Sequence, residues 1–568
     1  MSMRDDKLID LWSQRKDDSY TLRQESAEDR WIRNWQWYRN TKQTKKIRNQ
    51  PWTSNVMIPD AFRIVETMLP SHVMGMYNNP NWFSVEAPTA PGQTYQRAVK
   101  ALLRQGWRKS DAIRKSIEAI KYAMITGHCT PKVTWYGNFP NIELPDNFNI
   151  YQDPTGQGHW WIERIPTSLE MIKEQNRAFR EANGQDLYKN LSKVQADNEM
   201  SKALGRQRGS FSYTGDPGEY TLEQIVEGIP ISDRRSPDSI NKYECWGWVP
   251  PSVVRYPAEE GQMRHQIFVD GNTIIYDEPM PPGPMPYWNV PCIPIPHSLY
   301  GESVLSYVGD LIERRSQVEN MRNDEVMLNI YGQYWKHARS NIKGSQQGRY
   351  PGGIITIDPD DPTMRMSDLF GVIPRQPVLQ ESYIESGQKE QQINQVSGST
   401  EPFMGQAFGG RTSATEASMV GSIGSGRVRL AVTWLNEVFK KPALEKSFLL
   451  YQNRLDQDQV VRLDSGLSGG INMHDLEYDV DIYVDSGKFG SMDMQQIQAI
   501  TQALQFAAQI PDGDAAIDLV KAIDEIAMRS GISTRITRTE EQRNEIIQQR
   551  QRARLAEAQL SASQNKAQ

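Results

Sequence analysis

The chain has 568 residues and a formal net charge of −6, with 24% of its residues charged. That length leaves room for several domains with sizeable cores. The acidity excludes a protein that grips nucleic acid along its whole length by counterion release, which requires a basic surface.

The first segment, MSMRDDKLIDLWSQRKDDSY, has no apolar run of the kind a signal peptide carries, and no stretch of about 18 apolar residues occurs later. Neither a secretory leader nor a membrane span is expected. Cys129, Cys245 and Cys292 are far apart and form no CxxC pair, so a reducing compartment without disulfides or zinc is expected.

Residues 1–50 follow a helical pattern. Within RWIRNWQWYRNTKQTKKIRN, Trp31, Trp35, Trp37 and Tyr38 alternate with Arg33, Arg39, Lys42, Lys45, Lys46 and Arg48. Aromatics among cations suit base stacking and phosphate contact. The alternative is that the tryptophans anchor the helix on its own domain with the cations solvated. The acidic chain favours the alternative.

From Ser54 to Glu86 the pattern predicts a helix, an Asn-Pro loop and a strand ending in FSVEA. The spacing of Ile113, Ile117, Ile120 and Met124 predicts a helix over Lys109–Thr126, with Gly127 just past its end. The strand KVTWY follows. His128 and Cys129 are strand neighbours pointing to opposite faces, so a shared metal is not expected.

Thr167 opens TSLE, read as a capping box with Glu170 at N3. The polar stretch Gln175–Pro230, with Gly184, Gly205, Gly209 and Gly218, reads as an insertion that is partly loop. KYECWGWV is a strand, and RHQIFVD and TIIYDEP form a hairpin about Asp270-Gly271.

The stretch from Gly301 to about Leu455 organises the rest. Its first helix has Val304, Val308, Leu311 and Ile312 at helical spacing, but between Glu313 and Glu325 only Val318 and Met321 are clearly apolar. Such a helix packs along one narrow seam and meets water or other copies of itself elsewhere. A β-rich insert follows, with GGIITID as a strand and Pro359, Pro362, Pro374 and Pro377 as punctuation. A second polar helix spans about Val378–Val396. The loop GSTEPFMGQAFGGR leads into another helix, which Ser413 and Glu416 cap and which Gly421, Gly424 and Gly426 are expected to kink. HDLEYDVDIYVDSG alternates, with Asp475, Glu477, Asp479 and Asp481 on one strand face, read as a solvated face rather than a cation site. Residues 491–568 are helical in pattern, with a polar tail from Thr539 that either self-associates around an axis or is disordered.

Enzymatic signatures are missing. There is no G-x-x-x-x-G-K-[ST], and the seven histidines form no HExxH. Asp358–Pro362 lacks the glycine and terminal glutamate of a calcium loop. No enzyme and no cofactor is expected.

The order helix, insert, helix, glycine-rich loop, long helix resembles the portal proteins of tailed bacteriophages, podovirus-like. Upstream, IFVDGNTIIYDEPMPPGPMPYWNVPCIPIPHSLYGESVL resembles that family's hairpin and proline-rich approach to its first stem helix. The resemblance runs from about Ser54 to about Leu455 and rests on topology and many diffuse signals. It implies an α+β fold. The wing would be 1–300 with a variable insertion at about 175–230, stem helix one 301–330, the clip 331–376 and stem helix two 377–397. A tunnel loop at 398–412, a kinked helix and wing return at 413–490, and a crown and tail at 491–568 would complete the chain.

By the same resemblance the protein would form a dodecameric ring at one capsid vertex, a channel for packaging and ejection of double-stranded DNA. Its partners would be the terminase large subunit, a tail adaptor and the major capsid protein, and its locations the virion and, during assembly, the host cytoplasm. The implied stem residues are Glu313, Arg314, Arg315, Glu319, Arg322, Asp324 and Glu325. Acids exceed bases over Glu302–Glu325, so a lumen partly lined by this helix would repel phosphate. The clip residues would be Asp358, Asp360, Asp361, Arg365 and Arg375. The tunnel-loop residues would be Gly398, Pro402, Phe403, Met404, Phe408, Gly409, Gly410 and Arg411. Rival readings are another virion structural protein, such as a head–tail adaptor, and a nucleic-acid enzyme, which should show a phosphate loop.

Overall fold

The computed structural model describes residues 3–507 apart from short intervals and the longer stretches 42–52, 204–238, 254–260, 339–350, 358–369, 374–378 and 399–425. Beyond 507 it describes Ile526. The described chain is α+β, with helices around several small sheets, all but one of whose strand pairings are antiparallel.

Helices α1 (Met3–Arg23) and α2 (Asp29–Tyr38) are joined by a π-helical turn at Gln24–Glu28. Beneath α1 lies the largest sheet, ordered β5-β6-β7-β8-β9: β5 Ile150–Gln152, β6 Trp160–Ser168, β7 Ser239–Val249, β8 Gln262–Val269 and β9 Thr273–Pro279. Strand alternation divides its two faces. Tyr243, Cys245, Phe268 and Ile274 meet Leu8 and Trp12 of α1. On the other face, Ile240, Ile267, Val269 and Ile275 meet Leu169, Ile172, Tyr188 and Val194. The latter belong to helices α6 (Leu169–Asn183) and α7 (Leu191–Ala203) and the turn between them. The 175–230 stretch thus begins as packed structure. The cap of α6 is Ser168, the last residue of β6, whose Oγ accepts the Met171 amide; Thr167 lies one residue earlier in the strand, paired with Ile240.

The main core gathers α3 (Asp60–Tyr77), α4 (Ala90–Lys109) and α5 (Ala112–Thr126). It also takes in the start of α8 (Val304–Tyr331) and a long helix, α10, over 426–454. Helix α4 was not foreseen from the sequence; it buries Val99, Leu102, Leu103 and Trp107. It runs to Lys109, and Asp111 in the left-handed region breaks it from α5, so the second helix starts at Ala112 rather than Lys109. Ile113, expected on the buried face, is exposed in that first turn. Gly127 closes α5 as expected, with φ 92°. Short strands stitch the edges: β1 (Phe83–Glu86) pairs β16 (Asp481–Val484), β2 (His128–Cys129) pairs β10 (Val290–Pro291), and β3 (Lys132–Tyr136) pairs β4 (Phe139–Glu143). A further hairpin joins β14 (Gln459–Arg462) to β15 (Ser468–Ile471).

The irregularity in α10 among the described residues is a π-helical turn at Asn436–Lys440, ten residues past Gly426. There the Lys440 ammonium is fully buried, donates to the Met76 carbonyl and sits over the Tyr77 and Trp82 rings. Gly421 and Gly424, and the Ser413 capping box, lie outside the described residues, as does the chain from 527. The acidic alternation is strand only over β16, which starts at Asp481; Glu477, Asp479 and Asp481 are exposed and Leu476 and Ile482 buried, while Asp475 and Tyr478 lie outside the described residues. Helix α11 spans Gly490–Ala507.

Candidate functional site

The feature that stands apart from these cores is a column of two antiparallel helices, α8 and α9 (Leu379–Ser397), with a small mixed sheet at its far end. Helix α8 starts because Ser303 Oγ accepts the Leu305 amide; the same hydroxyl donates to the Met124 carbonyl, pinning the start to α5. Leu305, Val308 and Ile312 then enter the main core. Gly309 lies between them under the Trp37 ring, where a Cβ would stand 2.0 Å from the indole. The Trp37 Nε1–H donates to Glu313 and Asn34 Nδ2 donates to Ser306 Oγ, so α2 is clamped along this half of α8.

One turn further, Arg315 donates from Nη1 to both carboxylate oxygens of Asp60 at 2.8 Å and from Nη2 to Glu390 at 2.7 Å. Arg63 meets the same Asp60 and Glu390 and donates to Asn394. Two guanidinium and two carboxylate groups therefore tie α3, α8 and α9 into one charge-balanced knot. A buried pair of this kind fixes geometry more surely than it adds stability, since desolvation offsets much of the attraction.

An extended strap then runs along α8. The amides of Ser54, Val56 and Ile58 donate to Asp324 Oδ1, Asn320 Oδ1 and Ser316 Oγ at 2.6, 2.7 and 3.1 Å, and Asn320 Nδ2 returns a bond to the Val56 carbonyl. The spacing explains the fit: two residues of extended chain advance about 6.6 Å and four residues of helix about 6 Å. Alternate strap amides thus meet side chains one helical turn apart. A sequence read only for apolar spacing misses this ladder; its signal is the polar triplet Ser316, Asn320, Asp324 at four-residue intervals in a helix.

Beyond Asp324, Leu328 is still buried, while apolar side chains elsewhere on the helix emerge. Ile330 follows Ile312 by five full turns, about 18 residues, and so faces the same way. Ile312 is fully buried, whereas Ile330 is 69% exposed, Tyr331 56% and Met327 37%. The helix ends at Gly332, and β11 (Tyr334–His337) pairs β12 (Ile354–Ile357) in parallel and β13 (Phe370–Val372) antiparallel. Tyr334 stacks on Phe370 and Trp335 covers Gly371, while Ile357, Phe370 and Val372 stay largely exposed.

Helix α9 turns Ser386 and Ile393 inward and leaves Tyr383 and Ile384 exposed. Its only cation is Lys389. It ends at Gly398, φ 77°, whose amide meets the Asn394 carbonyl, and Arg427 at the start of α10 donates to the Gln395 carbonyl.

The expected stem residues all fall on α8, and most are already engaged. Arg314 pairs with Glu385, Arg322 pairs with Glu319 and lies over the Tyr383 ring, Asp324 holds the strap, and Glu325 accepts from Asn329. Asp358, Asp360, Asp361, Arg365 and Arg375 lie outside the described residues. So do Pro402, Phe403, Met404, Phe408, Gly409, Gly410 and Arg411.

Polar clusters elsewhere serve the fold. Trp31 is buried against His128, Phe148 and Tyr300, which places the N-terminal tryptophans in packing. Burial lowers His128 to a pKa of about 3, so it packs as a neutral ring. Lys132 bridges Glu163 and Glu244 at 2.8 and 2.9 Å. Burial alone would raise Glu244, but the Lys132 ammonium and the His265 contact hold it well below the carboxylate range. Among the described residues no cluster of metal-ligating side chains occurs, and no helix is long and apolar enough to cross a membrane.

A family model described as phage SU10 portal protein matches residues 184–568, more than half of the chain and all of the helix column. No curated protein matches it.

Proposed function

The chain belongs to the phage SU10 portal protein family, and from that membership we propose that it assembles into a dodecameric ring that conducts double-stranded DNA into and out of the capsid. As a phage portal protein it is a structural component of the virion, a capsid-associated oligomer at the capsid vertex. The observation that carries the finer reading is the column. Two long helices leave the main core together, and a small sheet caps them at the end farthest from it.

In this reading α8 and α9 are the stem, the chain between them is the clip, and the core with the five-stranded sheet is the wing. Copies of the column set side by side form the channel wall. Helix α9 carries three glutamates, one lysine and a run of glutamines. A wall built from it offers phosphate few cations, so DNA slides rather than binds. The charges of α8 take part chiefly through the pairs that hold the column together. The clip, 331–376, takes the terminase during packaging and the tail adaptor afterwards. The loop at 398–412 projects Phe403, Met404 and Phe408 towards the axis and narrows the lumen by steric contact. ATP hydrolysis belongs to the terminase, since this sequence has no phosphate loop.

Electron microscopy of the purified full-length protein tests the proposal. A ring with an open axial channel is the expected particle. A population of monomers, or particles without a channel, contradicts it.

A further inference from the structure

We propose that the five-stranded sheet, with α1, α6 and α7, is a lobe that opens from the main core as one folded unit, and that Lys132 is the latch that closes it. The movement takes place within one protomer, whatever its assembly.

The apolar cores are divided between two bodies. The main core takes no buried side chain from residues 150–279, and the two clusters on the faces of the sheet take theirs only from α1 and from that same stretch. Each body therefore keeps its own apolar interior when the two part. The chain passes between them at three places, 24–28, 146–150 and 280–286. Among the described residues one small apolar cluster spans the seam, with Ile150 and Trp161 on the lobe side and Tyr287 on the core side. Two bodies of one chain move relative to each other unless the surface between them is large and hydrophobic.

Beside that cluster the seam is charged. Lys132, on β3 of the core, reaches into the lobe, where its Nζ donates to Glu163 Oε2 of β6 at 2.8 Å and to Glu244 Oε2 of β7 at 2.9 Å. Tyr287 donates to the same Glu163 oxygen at 2.6 Å, and Asn289 Nδ2 donates to Gln152 Oε1 at 2.7 Å. The Lys132 side chain is 3% exposed and each glutamate 11%. Closing the seam strips water from an ammonium and two carboxylates, and opening returns it, so desolvation offsets much of the attraction. Parting the bodies thus costs less than parting an apolar surface of the same extent, and what it uncovers is charged rather than adhesive. The two carboxylates are cross-strand partners, so without the ammonium a closed seam buries two like charges side by side. His265 and Trp246 also contact Glu244, but both belong to the lobe and cannot hold it to the core.

Pulsed dipolar spectroscopy of the full chain tests the latch. Nitroxides are attached at Met171→Cys on α6 and Ile113→Cys on α5, both exposed, in a Cys292→Ser background, Cys129 and Cys245 being buried. Labelled chain is diluted with unlabelled chain so that each distance is read within one protomer. The otherwise unaltered protein should give one narrow distance. Lys132→Met should add a second, displaced distance, raising the open population about tenfold or more, while hydrogen exchange within β7, β8 and α5 stays that of the parent. Combining Lys132→Met with Glu163→Gln and Glu244→Gln removes all three charges and should restore the single distance. A single distance in Lys132→Met overturns the proposal. Exchange that rises together in β7, β8 and α5 means that the bodies unfold as one, and overturns it as well. A triple variant as open as the single one overturns the charge latch. The parent gives a test that needs no variant: amides of β7 and β8 should exchange through an opening whose free energy differs from that of α3 and α5, and one common opening for both sets overturns the lobe.

Discussion

Helix α8 passes through two environments on one apolar stripe. Over its first five turns the stripe meets the chain's own core, and the polar positions beside it are matched group by group: Gly309 to an indole, Arg315 to two carboxylates, Asn320 to the backbone of residue 56. Over its last two turns Leu328 stays buried, but Met327, Ile330 and Tyr331 are exposed. What differs is whether the rest of the protomer supplies a surface.

Substitutions along α8 put the contrast at risk. The largest effect is expected at Ile312: Ile312→Ala removes a fully buried side chain and should cost about 3 kcal/mol or more, read from denaturant unfolding. The same change at Ile330 should leave monomer stability within about 0.5 kcal/mol; equal costs at the two sites would erase the distinction between the halves. Gly309→Ala should cost about 2 kcal/mol, because the new methyl must displace the Trp37 ring. It should also shift tryptophan fluorescence as the indole leaves its seat. Asn320→Ala removes both bonds to Val56 and should cost about 1–2 kcal/mol, with faster hydrogen exchange at residues 54–58. Unchanged exchange there would mean that the strap is held by other contacts. The smallest effect is expected for Arg314→Ala, whose pair with Glu385 is exposed and should contribute less than about 0.5 kcal/mol, falling further in salt.

Periodicity in the sequence located both column helices to within a few residues, because long polar helices with a thin apolar seam leave a clear pattern. The hairpin about Asp270 was equally legible from its Asp-Gly turn. Helix α4 was not: Pro91, Gly92 and Gly106 are poor helix formers, and burial of Leu102, Leu103 and Trp107 outweighs them. The cap falls at Ser168, one residue past the expected Thr167, because the pairing of β6 with β7, distant in sequence, extends the strand through Ser168.

At the column, the sequence showed which charges lie on α8 but not which of them are spent within the chain. Asp60 and Arg63 lie about 250 residues from Arg315, and only the folded chain brings them together. The strap was hidden for a different reason: the triplet Ser316, Asn320 and Asp324 marks the helix side of the ladder, but its partners are backbone amides, which carry no sequence signal.

The contrast between the two halves of α8 is measured most directly by hydrogen exchange, resolved by peptide, on the full chain at protein concentrations below and above assembly. Amides of residues 305–320 should be protected in both states, and those of 325–337 should gain protection only when copies associate. Protection of 325–337 that is already complete in the monomer, or that does not change on assembly, would contradict the account.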